Sequence, residues 1–149
     1  MSDTPRQDQV SQLGRYTQMQ YILLGDLREV LESRPGLSER NWMLTILDAL
    51  LETLPTQFSL REEGGYMTEV LEAFPYWEDE VEKLRSEHTT LCSSLQDLRD
   101  RVHAGSQYKQ IAEVLRSELA AWMKCLNDHN SHECRLFQTS VNLEVGCGD

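Results

Sequence analysis

Long stretches of this chain place an apolar residue at every third or fourth position, and very little interrupts them. The breaks fall at Arg34-Pro35-Gly36, at Gly64-Gly65, at Pro75 and at Ala104-Gly105-Ser106. No stretch alternates at period two, and no hairpin turn signal occurs. Such a chain is restricted to amphipathic helices that bury one stripe each. Four long helices with short connections imply an all-α fold, an antiparallel up-down-up-down four-helix bundle, in a single domain over residues 1–149. Residues 1–6 are expected to be flexible and residues 138–149 to form a C-terminal tail.

The first helix is expected from about Gln7 to Ser33, with Leu13, Tyr16, Gln20, Leu23, Leu27 and Val30 on its stripe. Ser38 is placed to cap the second, whose stripe carries Met43, Leu47, Leu50, Leu54, Gln57 and Arg61. Pro55 is expected to kink that helix, because it removes a hydrogen bond and crowds the preceding turn. Met67 to Phe74 suits a short extra turn. It either exposes an apolar face with Tyr66 or caps the bundle. The third long helix runs from about Trp77 to Val102 through Val81, Leu84, His88, Leu91, Leu95 and Leu98. The fourth runs from about Ser106 to Phe137 through Ile111, Leu115, Leu119, Trp122, Leu126, His129, Glu133 and Leu136.

A formal charge of −11 argues against nucleic acid as a partner, since phosphate binding needs a positive field. The longest apolar run in the first thirty residues is Tyr21 to Leu24, far short of the roughly 20 residues that span a bilayer. With no secretory signal, a cytoplasmic protein without a membrane partner is expected. Cys92, Cys125, Cys134 and Cys147 form no CxxC pair, which in a reducing compartment points to packed or idle thiols. No phosphate loop or nucleophile elbow is present, so no enzyme is expected. The clusters Glu62-Glu63 and Glu78-Asp79-Glu80 are expected to be solvated. Trp42, Trp77 and Trp122 are expected to fill the core or its rim, and His103 and His132 to face solvent.

The informative positions are the polar ones on the stripes. Gln20 interrupts the first helix, Gln57 and Arg61 the second, His88 the third, and His129 and Glu133 the fourth. In an up-down-up-down arrangement all six reach one region of the core. Left unpaired there, each costs roughly 2–7 kcal/mol, so they must satisfy one another or a ligand. Imidazole with carboxylate suits iron, zinc or manganese, and bundle cores are where such sites are built. Only His88, His129 and Glu133 are good ligands. The glutamines offer neutral amide oxygens, and Arg61 is a fixed cation that repels a metal. A zinc site adding Cys125 or Cys92 is the weaker reading, because the spacing fits no zinc motif.

These residues carry a family resemblance. The run from Phe58 through Leu60, Arg61, Glu62, Glu63, Gly64 and Gly65 to Tyr66 is similar to a hemerythrin-like (HHE) motif. In that motif a histidine precedes the Phe, a Glu follows four residues later, and EEGGY closes the run. Glu87-His88 resembles the histidine of the family's next helix, and His129 to Glu133 its closing HxxxE. Val145 to Asp149 resembles the tail that often follows. The resemblance covers the chain from about Gln20 onward and implies a non-heme di-iron centre serving oxygen, nitric oxide or iron sensing and handling. Matched position by position, His88, His129 and Glu133 are ligands, Gln57 stands where the family has His, and Arg61 where it has Glu. Gln20 is placed at the first-helix His.

With the bridging carboxylate gone, Arg61 is expected to stand in for the metal's charge, hydrogen-bonding Glu133 and both glutamines. The implied function is a non-catalytic regulatory or interaction module with a degenerate site, no cofactor and an unidentified protein partner. The alternative is a metal-binding protein holding one or two non-heme irons, with oxygen or nitric oxide as ligand.

Overall fold

The computed structural model describes residues 4–62, 66–104 and 108–140, with backbone alone at residues 4–11, 13, 66, 109 and 140. The described chain is all-helical, with no strand. Four long helices, α1 (Thr4–Glu32), α2 (Leu37–Glu62), α4 (Glu78–Ala104) and α5 (Tyr108–Ser140), account for most of it. A short helix, α3 (Tyr66–Ala73), and a 3-10 turn at Pro75–Trp77 lie between α2 and α4. Helix α1 packs on α2, α2 on α4, α4 on α5, and α5 back on α1. No helix among the described residues is long and apolar enough to cross a membrane.

Periodicity explains the packing closely on α4. All seven expected stripe residues, Val81, Leu84, His88, Leu91, Leu95, Leu98 and Val102, are buried. The main core joins Leu91, Leu95, Leu98 and Val102 to Leu27 and Val30 of α1, to Met43 through Leu54 of α2, and to Leu115 through Leu126 of α5. On α5 the first turns are phased differently from expectation. Tyr108, Ala112, Leu115 and Leu119 face inward at 4-3-4 spacing, and Ile111 is 37% exposed. On α1, Tyr16 and Leu23 are only half-buried, and the side chain of Leu13 lies outside the described residues.

The helix ends also differ from the sequence reading. Helix α1 already begins at Thr4, and α5 continues through residues 138–140, which were expected in the tail. The remainder of that tail and the Val145–Asp149 motif lie outside the described residues. Helix α2 starts at Leu37 rather than Ser38. The amide of Arg40 bonds the carbonyl of Gly36 (2.9 Å), which makes Gly36 the capping residue. The Glu39 carboxylate reaches back to accept from the Gly36 amide (3.3 Å), satisfying a free donor as a capping-box Glu does. Helix α2 runs through Pro55 without ending.

Cross-helix polar contacts fix how the helices lie against one another. Arg40 near the start of α2 donates from Nε to the Val102 carbonyl (3.0 Å) and from Nη2 to the His103 carbonyl. These are carbonyls of the last turn of α4, which lack helical partners. Tyr108 at the start of α5 donates to Glu39 (2.7 Å), and Arg116 lies 3.3 Å from the same carboxylate. Burial, then Glu39, pushes the Tyr108 phenol well above its ordinary range. Trp122 is buried and its indole donates to the Leu91 carbonyl (2.9 Å), whereas Trp42 is half exposed on the rim.

The segment between α2 and α4 packs on the long helices. Met67 and Val70 of α3 bury against Val81 and Leu84, with Leu71, Trp77, Leu136 and Phe137 around them. Phe74 stacks on Trp77 at 4.7 Å. The expectation of idle thiols is corrected at one position: Cys134 is disulfide-bonded, while Cys92 and Cys125 are free. Cys147 lies outside the described residues.

Candidate functional site: a closed polar core

Five of the six stripe-breaking residues are buried: Gln20, Gln57, His88, His129 and Glu133 are each at most 5% exposed. The Arg61 side chain is 11% exposed. Arg61, His88 and His129 meet at the Glu133 carboxylate. Oε2 accepts from Arg61 Nη1 at 2.5 Å, and Oε1 pairs with His88 Nε2 at 2.8 Å. His129 Nε2 stands 3.7 Å from the same Oε1. The carboxylate therefore has a guanidinium on one oxygen and two imidazoles around the other.

Each imidazole lies between two carboxylates. His129 Nδ1 contacts Glu87 Oε1 at 2.6 Å while its Nε2 faces Glu133. His88 Nδ1 lies 3.4 Å from Glu62 Oε1 while its Nε2 meets Glu133. Phe58 stacks flat on His88, with ring centroids 3.9 Å apart, and holds the ring plane. The Arg61 guanidinium carbon lies 5.7 Å from the same Phe58 ring.

The expected contacts from Arg61 to the glutamines are not what forms. Arg61 Nη1 reaches Asn130 Oδ1 (3.3 Å) besides Glu133. Gln57 instead donates to Thr17 Oγ1 on α1 (3.1 Å), and Gln20 Nε2 finds no hydrogen-bond partner. Glu62, expected to be solvated, is half-buried beside His88 and Arg85. Glu63 lies outside the described residues. Sequence reasoning missed Glu62, Glu87, Asn130 and Phe58. Two signals were present: Glu87 and Phe58 each adjoin a stripe-breaking residue, and Asn130 precedes Glu133 by about one helical turn.

Burial alone would raise the Glu133 carboxyl, but the two histidines and Arg61 outweigh it and hold the group well below the ordinary carboxylate range. Burial would lower His129, yet Glu133 and Glu87 prevail and raise it above the usual 6.5. Linkage gives these shifts opposite signs. The Glu133 contribution is complete above its unfolded value of 4.5 and is lost as pH falls through the depressed folded value. The His129 contribution is complete below 6.5 and is lost as pH rises through the raised folded value. Stability from this network is therefore greatest between 4.5 and 6.5 and falls on both sides. Urea midpoints across pH should show this, with Glu133→Gln flattening the acid limb and His129→Gln the alkaline limb.

Among the described residues, one cluster of metal-binding side chains occurs: His88, His129 and Glu133, whose ligand atoms lie within 4.8 Å of one another. No cysteine joins it. Cys125 is exposed, and Cys92 is half-buried with its thiol pushed up by burial and then by Glu62. The two-iron centre that the resemblance implies does not fit these residues. Three donors serve two ions poorly, Gln57 is turned to Thr17, and Arg61 is bonded to the one inner carboxylate. A divalent ion about 4 Å from a guanidinium meets roughly 8 kcal/mol of repulsion at an effective dielectric of about 20. His132 is partly exposed, 3.5 Å from Glu80, and His103 is exposed. No family model, curated protein or solved structure matches this chain.

Proposed function

We propose that this chain is a hemerythrin-like, antiparallel up-down-up-down bundle whose inherited di-iron site has become a metal-free polar core. On this reading it works as a non-catalytic regulatory or interaction module whose partner is a protein, not nucleic acid or a membrane. The observation that carries the reading is the 2.5 Å contact between Arg61 and Glu133. A fixed guanidinium lies where a metal's charge would otherwise balance the buried carboxylate, and it cannot deprotonate to make room. The bundle topology is supported by Arg40 meeting the end of α4 and by Arg61 meeting Glu133 late in α5.

A protein that needs a metal for its fold loses stability to a chelator, because binding to the native state alone adds stability by mass action. Thermal unfolding of the purified chain with and without excess EDTA is expected to give superimposable curves. A midpoint that falls by several degrees with chelator would reject the metal-free reading. The second reading is a metal-binding domain using non-heme iron for oxygen, nitric oxide or iron sensing. It is favoured by the convergence of His88, His129 and Glu133, which suffices for one ion.

A further inference from the structure

We propose that the groove between α1 and α5 binds a small amphipathic carboxylate, an apolar chain carrying one anionic head. The site lies outside the cluster of His88, His129 and Glu133 and does not depend on how that cluster is read. On α1, Leu24 and Leu31 are seven residues apart, two turns along one face, with Arg28 between them. On α5, Met123 and Leu126 line the opposite wall, and the exposed Ala120 is too small to close the space. A Cβ added at Gly25, beside Leu24, would meet nothing within 4 Å. The groove holds about 510 Å³, inside the roughly 300–1,000 Å³ of small-molecule sites. Its α1 wall from Leu24 to Glu32 is about 12 Å long, the span of an extended chain of about ten carbons.

The polar groups of the lining select the charge of the head. Arg28 is exposed and makes no hydrogen bond or ion pair with a described residue. Lys124 pairs with Asp128 at 3.2 Å on the exposed surface, a contact that gives way readily to a competing anion. Asn130 accepts from Arg61 Nη1 through its Oδ1 at 3.3 Å, which leaves its NH₂ group to donate elsewhere. Glu32 is the single carboxylate among the lining residues and lies one turn beyond Arg28, on the far side from Leu24. A chain of net charge −11 therefore sets two cations against one anion here. A carboxylate held by Arg28 and Lys124, with its chain along the leucines, matches both the charge and the apolar floor. An alkyl cation would meet two like charges at the same place.

Decanoate is the probe, titrated into the purified protein by isothermal calorimetry, with amide NMR spectra recorded in parallel. A single saturable site is expected at a Kd of about 0.1–1 mM, in keeping with about a dozen heavy atoms in a half-open groove. Hexanoate, shorter by four methylenes, should bind roughly 10-fold more weakly or worse, and decylammonium should show no saturable binding. Arg28→Glu should weaken decanoate about 10-fold. Lys83→Glu makes an equal change of charge in the other groove, between α4 and α5, and should leave the affinity unchanged. Ala120→Trp should abolish binding by filling the groove, with circular dichroism checking that the variant folds. The two charge variants are both at exposed positions and decide the question if the tryptophan is not tolerated. Absence of saturable decanoate binding, or equal weakening by Arg28→Glu and Lys83→Glu, would overturn the site while leaving the metal-free reading of the core standing. A dimer in sedimentation that Ala120→Trp dissociates would overturn it too, because the groove would then belong to a second copy.

Discussion

Arg61→Met is expected to lower the unfolding free energy by about 3–5 kcal/mol, because it leaves the Glu133 carboxylate buried with no fixed positive partner. Glu133 is nearly inaccessible, and its shortest contact is to Arg61. Methionine fills similar space without charge, so the loss reflects the unpaired carboxylate more than a cavity. The variant should also relocate the site's chemistry. Without Arg61, Glu133 depends on His88 and His129 for compensation, and burial pushes its carboxyl back up. Urea unfolding at neutral pH measures the stability loss. A change within about 0.5 kcal/mol of wild type would mean that the guanidinium is a peripheral contact.

The companion prediction is a rescue. Combining Arg61→Met with Glu133→Leu should restore stability to within about 1–2 kcal/mol of wild type, although Glu133→Leu alone should cost about 3–5 kcal/mol. Replacing both members of a buried ion pair removes the desolvation cost together with the attraction, whereas removing one leaves a bare charge. Full recovery is not expected, since His88 Nε2 loses its 2.8 Å partner, worth about 1 kcal/mol. The resulting double-mutant cycle should show strong coupling, as residues in direct contact do. The double variant should also lose the acid limb of the pH profile, because that limb belongs to Glu133. Additive single effects would show that the two side chains do not act as a pair.

The helices and the position of the site were legible because their signals are periodic. On α4 one unbroken 3-4 register ran from Val81 to Val102, and burial follows it residue by residue. The start of α5 was misphased because its inward residue is Ala112, whose small side chain gives less apolar signal than the exposed Ile111 next to it. Periodicity also identified the polar residues that share the core, since a polar group on a buried stripe must be accounted for there.

Partner identity was not legible in the same way. Gln57 shares a stripe with Arg61 on α2, yet its amide crosses to Thr17 on α1 while Arg61 turns to Asn130 on α5. Long side chains of equal register reach in different directions, and sequence spacing does not contain that choice. The outer carboxylates were hidden for a related reason. Glu62 and Glu87 sit beside the stripe rather than on it, so their pattern reads as solvent-facing although both contact histidines.

Iron content after anaerobic loading tests the metal-free core most directly. The purified protein is incubated with excess ferrous iron, desalted under the same conditions, exposed to air and examined by elemental analysis and visible absorption. A core closed by Arg61 predicts colourless protein with no stoichiometric iron. A coloured protein retaining about two irons per chain, as di-iron bundles do, would contradict it.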